Sequence, residues 1–172
     1  MASVARIESN TWLAPRTAEI TGAVLSIGSM DDKDGQGRRY RQYFVKASSY
    51  TTSEHIPYPG CDLVVDVRNM PQIATGTYDC VYCSGVLEHV DDYEAGMREI
   101  ARILKPGGTL LLGLPFRQAL HLAPTDYWRF TEFGIRVLLE RHGYRAEEVT
   151  PIDSSVPDFP ATYWSRATKL GR

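Results

Sequence analysis

The chain has 172 residues, 43% of them hydrophobic and 23% charged, and 19 basic against 21 acidic residues leave a formal net charge of -2. That is the length of one domain with enough apolar residues for a sizeable core, which excludes a disordered or low-complexity chain. It also argues against a nucleic-acid partner held by charge, because such binders are usually strongly basic.

Arg38, Arg39 and Arg41 form a basic cluster that reads as a solvated helix face. No apolar run approaches the roughly 18 residues of a bilayer span, so no membrane association is expected. The N-terminal stretch from Met1 to Asn10 lacks the apolar region of a secretory signal. Three cysteines are an odd number and too sparse for a disulfide framework. Together these features predict a reduced, cytoplasmic protein.

In chain order, Ala23–Ile27 is an apolar run ending at Gly28, and reads as a buried strand. The polar, glycine-bearing segment Ser29 to Gly37 follows, and Arg38–Phe44 is a candidate short helix. Ser49–Ser53, Leu63–Asp66, Tyr78–Ser84 and Gly108–Leu114 are the next four strands, the last of them stopped by Pro115. Continuous apolar runs of this length suit parallel strands covered on both faces. Asp91 or Asp92 caps a helix whose stripe is Met97, Ile100, Ala101 and Leu104, stopped at Pro106-Gly107-Gly108. Thr131 caps a second helix with Ile135, Leu138, Leu139 and His142 on one face, ended by Gly143. Arg145–Thr150 and Thr162–Lys169 complete the strands, antiparallel to each other, with Pro151, Pro157 and Pro160 marking the loop between them. Alternating strands and helices argue for an α/β fold with right-handed crossovers.

In an open parallel sheet, ligands bind beyond the carboxyl ends of the strands. Four such ends carry small or polar residues: Gly28-Ser29, Glu54, Asp66 and Ser84-Gly85. Glycine lets a ligand approach the backbone closely. A carboxylate after the second strand is placed for two ribose hydroxyls, and one after the third for an exocyclic amine. The set points to an adenosine-type ligand.

Two runs carry a family resemblance. Tyr78 to Val90 contains Asp79 and the Val86-Leu87-Glu88-His89-Val90 segment, and Glu99 to Leu110 contains Arg102-Ile103-Leu104-Lys105-Pro106-Gly107-Gly108. Both resemble class I S-adenosylmethionine-dependent methyltransferases of the type 11 domain family, and Ala123 to Thr131 is similar to one branch of it. The resemblance covers about residues 22–150. It implies a Rossmann-like three-layer fold with a mostly parallel seven-stranded sheet in the order 3-2-1-4-5-7-6 and an antiparallel last strand. It implies S-adenosylmethionine as cofactor, held by Gly28, Ser29, Gly35, Glu54, Asp66, Val67 and Ser84. The glycine loop departs from the family pattern, with Ser26 in place of the common acid and a longer stretch before Gly35. The loop His55–Cys61 stands where the family has a helix after the second strand.

Cys80 and Cys83 form a C-x-x-C spacing, but on a strand such side chains point to opposite faces, about 10 Å apart along it. They read as buried thiols, and no metal site is expected. The connection from Pro115 to Thr131 is about 15 residues long, and βα loops of that length are often functional. Within it His121 is the candidate general base and Asp126 its support. His89, Tyr127, Trp128 and Arg129 are expected to line the acceptor pocket, and His142 to be structural.

The sequence therefore predicts one domain over residues 1–172, with its core at about 22–150 and a C-terminal strand at about 162–169. The expected activity is methylation of a hydroxyl on a small molecule or sugar, by a monomer or homodimer. The alternative is a non-catalytic protein that keeps the fold for assembly or regulation, favoured by the altered glycine loop. A dinucleotide-dependent oxidoreductase is disfavoured, because no G-x-G-x-x-G lies between Gly28 and Gly37.

Overall fold

Apolar runs near Val24, Val81 and Leu111 become the centre of one sheet in the computed structural model, which describes residues 2–153, 155, 156 and 158–171. Pro157 lies outside the described residues. The strands are β1 (Thr21–Ile27), β2 (Lys46–Glu54), β3 (Leu63–Val64), β4 (Tyr78–Ser84), β5 (Leu104–Pro115), β6 (Tyr144–Ile152) and β7 (Thr162–Lys169). Their order is β3-β2-β1-β4-β5-β7-β6, as the family resemblance implies. β7 runs antiparallel to both β5 and β6, and the remaining neighbours are parallel.

Successive strand residues point to opposite faces, so each apolar run feeds two cores. On one face, Leu25, Val81, Cys83, Leu110 and Leu112 pack against α2 (Tyr93–Ile103) and α3 (Glu132–Arg141) through Met97, Ile100, Ile135, Leu138 and Leu139. On the other, Val24, Cys80, Tyr82, Leu111 and Trp164 pack against α1 (Val4–Thr17) and a 3-10 turn at Tyr40–Tyr43. Cys80 and Cys83 thus sit in different cores, and burial pushes both thiols far above their ordinary range.

The predicted caps are in place. Asp92, rather than Asp91, accepts from the Ala95 amide at 2.9 Å, and Thr131 accepts from the Gly134 amide at 3.1 Å. His142 caps the end of α3 and lies 3.1 Å from Glu94, a structural position.

Several boundaries move for physical reasons. The chain leaves the helix at Leu104, whose fully buried side chain belongs to the sheet and pairs with Tyr78. Pro106, Gly107 and Gly108 therefore lie inside β5, where a register shift opposite Tyr78 and Cys80 absorbs them. β3 stops at Val64, and Asp66 turns back to bridge with Asn69. The arginines at 38, 39 and 41 are exposed, but Arg41 lies on a 3-10 turn rather than an α-helix, and Arg38 and Arg39 precede that turn.

The connection between β1 and β2 is organised by two buried aspartates. Asp34 accepts from the Tyr43 hydroxyl at 2.7 Å and from the amides of Gln36 and Arg38, and Asp32 accepts from the Tyr50 hydroxyl at 2.9 Å. Asn10 of α1 donates to the Asp34 carbonyl. This loop and α1 together cover the face that a crossover helix would otherwise cover. Residues His55–Cys61 form the loop expected between β2 and β3.

Candidate active site

The ends of β1 and β2 are tied into one ledge. The amides of Gly28 and Ser29 both donate to the Ser53 carbonyl, at 2.9 and 3.1 Å. The Ser29 hydroxyl donates to the Ser26 carbonyl at 2.9 Å and accepts from the Ser53 amide at 3.2 Å. Ser26 is buried under this network. Gly28 has φ +70°, and a Cβ there would fall 2.4 Å from the Val86 side chain. Glycine at this position therefore meets both a backbone and a space requirement.

Glu54, at the end of β2, is 7% exposed and accepts from the Met30 amide at 2.7 Å. Its other oxygen lies 3.5 Å from His55 Nδ1. Asp66 is half exposed and held by Arg68, whose Nη2 donates to it at 2.7 Å. The same guanidinium reaches Asp91 at 2.7 Å. The Arg68 bond holds the Asp66 carboxyl below its usual range.

A cavity of about 510 Å³ opens above this ledge. Gly28, Met30, Glu54, Asp66 and Val67 form its floor, with Gly85 and Val86 from the turn after β4. His89, Leu122, Thr125 and Tyr127 form the opposite wall. Gly28, Glu54, Asp66, Val67, His89 and Tyr127 are thus brought together as candidate site residues. Ser29 lies beneath the ledge, and Ser84 sits at the end of β4 near Gly113. Gly35 is elsewhere, beside Arg6 and Ala2 of the N-terminal segment.

The connection between β5 and α3 is clamped over this cavity. The amides of Tyr127 and Trp128 both donate to the Glu88 carbonyl, at 2.8 and 3.3 Å. The Trp128 indole donates to the Val90 carbonyl, and its ring packs edge-on against Tyr93. Arg129 grips Asp126 through two bonds of 2.6 and 2.8 Å, and the His121 amide donates to the same carboxylate at 2.8 Å. Asp126 is almost wholly buried, and the Arg129 guanidinium keeps its carboxyl far below the ordinary range. Arg129 is therefore engaged with Asp126 and not free for an anionic acceptor.

His121 meets His89 in the connection's centre. Their Nε2 atoms are 3.1 Å apart and the rings cross at 84°. His89 Nδ1 lies 2.6 Å from the Thr125 carbonyl, and His121 Nδ1 lies 3.2 Å from Asp126. His121 reaches the cavity through His89 rather than lining it. Glu88, in the same 3-10 turn as His89, is 2% exposed and its Oε2 has no hydrogen-bond partner. Burial pushes its carboxyl up to about 7. Sequence reasoning assigned Glu88 no role, although its place beside His89 was a usable signal. Arg68 and Met30 were also missed, because their contacts depend on loop geometry.

Residues 37–112 match the family described as a methyltransferase domain. Over that stretch the chain is similar to this family. A stretch of 49 residues, 28% of this chain, is 47% identical to the ubiquinone biosynthesis O-methyltransferase of Xanthomonas oryzae pv. oryzae, covering 20% of that protein. The chain thus spans about a fifth of the length of the curated relatives it matches. Among solved structures, the Burkholderia thailandensis 1,6-didemethyltoxoflavin-N1-methyltransferase, with bound 1,6-didemethyltoxoflavin and S-adenosylhomocysteine, superposes with a TM-score of 0.75 at 16% identity, over 98% of this chain and 80% of that one. A SAM-dependent methyltransferase from Aquifex aeolicus gives a TM-score of 0.72 at 14% identity, over 99% and 94%. At such identities the methyltransferase-family structures share the fold with this chain.

Proposed function

We propose that the protein is an S-adenosylmethionine-dependent methyltransferase acting on a hydroxyl of a small-molecule acceptor. The observation that carries this reading is one continuous cavity joining the ends of β1 and β2 to the polar wall at His89. The ledge fits the cofactor's chemistry. Gly28 and Gly85, both at positive φ, expose backbone where a side chain would stand. Glu54 keeps lone pairs beyond its bond to Met30, enough to accept from two vicinal hydroxyls. Val67 and Val86 supply apolar walls for a flat base, with Asp66 at its edge.

The cofactor supplies a methyl group already activated on a sulfonium. The transfer forms one oxygen–carbon bond and breaks one sulfur–carbon bond, with the bonding pair returning to sulfur and the hydroxyl proton leaving. The chain's task is alignment, worth roughly 7–11 kcal/mol in well-oriented systems. Tyr127 and Leu122 offer exposed apolar surface at the wall. The His89–His121 pair, with His121 Nδ1 steadied by Asp126, is the base we assign to that proton. The name of the X. oryzae relative and the polar histidine wall support oxygen as the acceptor atom.

Calorimetry with S-adenosylmethionine and S-adenosylhomocysteine tests the reading. Heat of binding at micromolar ligand is expected, and no heat even at millimolar ligand overturns it. Incubation of a cell extract with methyl-labelled cofactor then gives a product whose methyl carbon resonance distinguishes a methoxy group from an N-methyl group.

A further inference from the structure

We propose that Glu88, His89 and His121 form a binding site for one divalent transition-metal ion. Their ligand atoms lie within 4.8 Å of one another. They come from two segments, the turn after β4 and the connection before α3, which the Tyr127 and Trp128 amides fasten together at the Glu88 carbonyl.

The tautomers make the case. His89 Nδ1 faces the Thr125 carbonyl at 2.6 Å. His121 Nδ1 faces the Ala119 carbonyl and the Asp126 carboxylate, each at 3.2 Å. All three partners are acceptors, so both Nδ1 atoms carry the hydrogen. Both Nε2 atoms then present lone pairs to each other across 3.1 Å. Two lone pairs at that distance repel unless a cation lies between or beside them.

Glu88 decides which cation. A proton shared by the rings satisfies two nitrogens and leaves Glu88 Oε2, buried, without a partner. Oε2 has no partner, and Oε1 is 3.9 Å from His89 Nε2. A metal ion satisfies all three residues. Donors held about 2.0–2.1 Å from a metal, at tetrahedral to octahedral angles, are separated by about 2.9–3.4 Å. The observed nitrogen pair is inside that window, and the Glu88 oxygen needs to close on His89 by about half an ångström. The Nδ1 partners are the outer hydrogen bonds that metal-bound histidines need for orientation. Two imidazoles and a carboxylate favour ions of the zinc, cobalt and iron(II) type over calcium or magnesium.

Of the three residues His89 alone lines the cavity, and its Nε2 faces His121, so the ion would sit behind the cavity wall. An ion there would occupy the nitrogen lone pairs of the histidine pair assigned above as base, whereas metal binding itself does not rest on the proposed methyl transfer.

The test uses the full chain, stripped with chelator and titrated with cobalt(II) alone. One equivalent of cobalt is expected, with visible absorption bands that zinc abolishes. His89→Ala and His121→Ala should each lower cobalt affinity by more than the about 10–100-fold seen when an outer partner of a ligand is lost. Glu88→Gln keeps the side chain's shape and should also weaken binding, which guards against misfolding of the alanine variants. Circular dichroism checks each fold. No visible bands, or bands and affinity unchanged in Glu88→Gln and His121→Ala, overturn the proposal. S-adenosylhomocysteine is titrated separately into the stripped protein. Its binding without cobalt binding overturns the metal site and leaves the methyltransferase reading standing, while cobalt binding without it does the reverse.

Discussion

Glu54 and Asp66 stand at equivalent strand ends, but their surroundings differ. Glu54 is buried and shares one oxygen with a backbone amide, whereas Asp66 is half exposed and already paired with Arg68. Glu54→Ala removes the better-shielded acceptor. It should weaken S-adenosylmethionine binding by about tenfold or more, since a hydrogen bond to a charged group is worth roughly 1.5–3 kcal/mol. Asp66→Ala should weaken binding less, because Arg68 remains fixed by Asp91 and solvent screens the site. Calorimetry on both variants checks the order, and equal parental affinity in both places the ligand elsewhere. Asp126 has a different task, joining the His121 amide to the Arg129 guanidinium. Asp126→Asn breaks that clamp and should speed proteolysis between Pro115 and Thr131 while the sheet stays folded. His121→Ala should lower turnover by about 10²-fold or more with cofactor affinity nearly unchanged, a split read from kcat and calorimetry together.

At the scale of elements, α2, α3 and all seven strands follow from apolar runs, periodicity and capping. The helix α1 does not, and its buried face explains why. Ser9, Asn10 and Thr17 are buried beside Trp12 and Leu13, so the stripe is half polar, and Pro15 sits inside the helix. Its anchor is aromatic and distant in sequence. Trp12 stacks on Trp164 at 5.4 Å and donates to Thr150 at 3.0 Å. Trp12→Ala should therefore cost about 3–5 kcal/mol, measured by urea unfolding. Gly113 in β5 meets the same aromatic cluster from the other side. A Cβ there would lie 2.7 Å from the Ser84 hydroxyl and 2.9 Å from the Trp164 ring. Gly113→Ala should destabilise by about 1–3 kcal/mol through overpacking, seen in the same experiment.

Across the whole molecule, carboxylates that pin one element to another set the acid limit of stability. The Lys105 ammonium beside Asp79 holds that carboxyl below its usual range, and Asp79 also accepts from the Ala23 amide, joining β4, β5 and β1. The Arg102 guanidinium does the same for Glu99, which accepts from the Met70 amide. Both folded-state pKa values are depressed, so their contribution is complete above the unfolded values of about 4 and is lost as pH falls through the folded ones. The melting temperature should drop steeply below about pH 4, and Asp79→Asn should flatten that drop.

The sequence by itself determined the strands, the two well-capped helices and the polar strand ends, because apolar runs, caps and glycines act over a few residues, while the sheet's order came from the family resemblance. The last strand, Thr162–Lys169, is bounded as its Tyr, Trp and Thr content suggests. What only the tertiary structure decided depends on residues far apart in the chain. Arg68 crosses from Asp66 to Asp91, Asp34 gathers α1 and the first loop, and Asp126 selects Arg129 over any ligand. The pairing of His89 with His121, and the turning of Glu88 toward them, needs the 115–131 connection to be clamped on the turn after β4. Local pattern carries no record of that closure, because its geometry is fixed by backbone hydrogen bonds between segments rather than by spacing within either one.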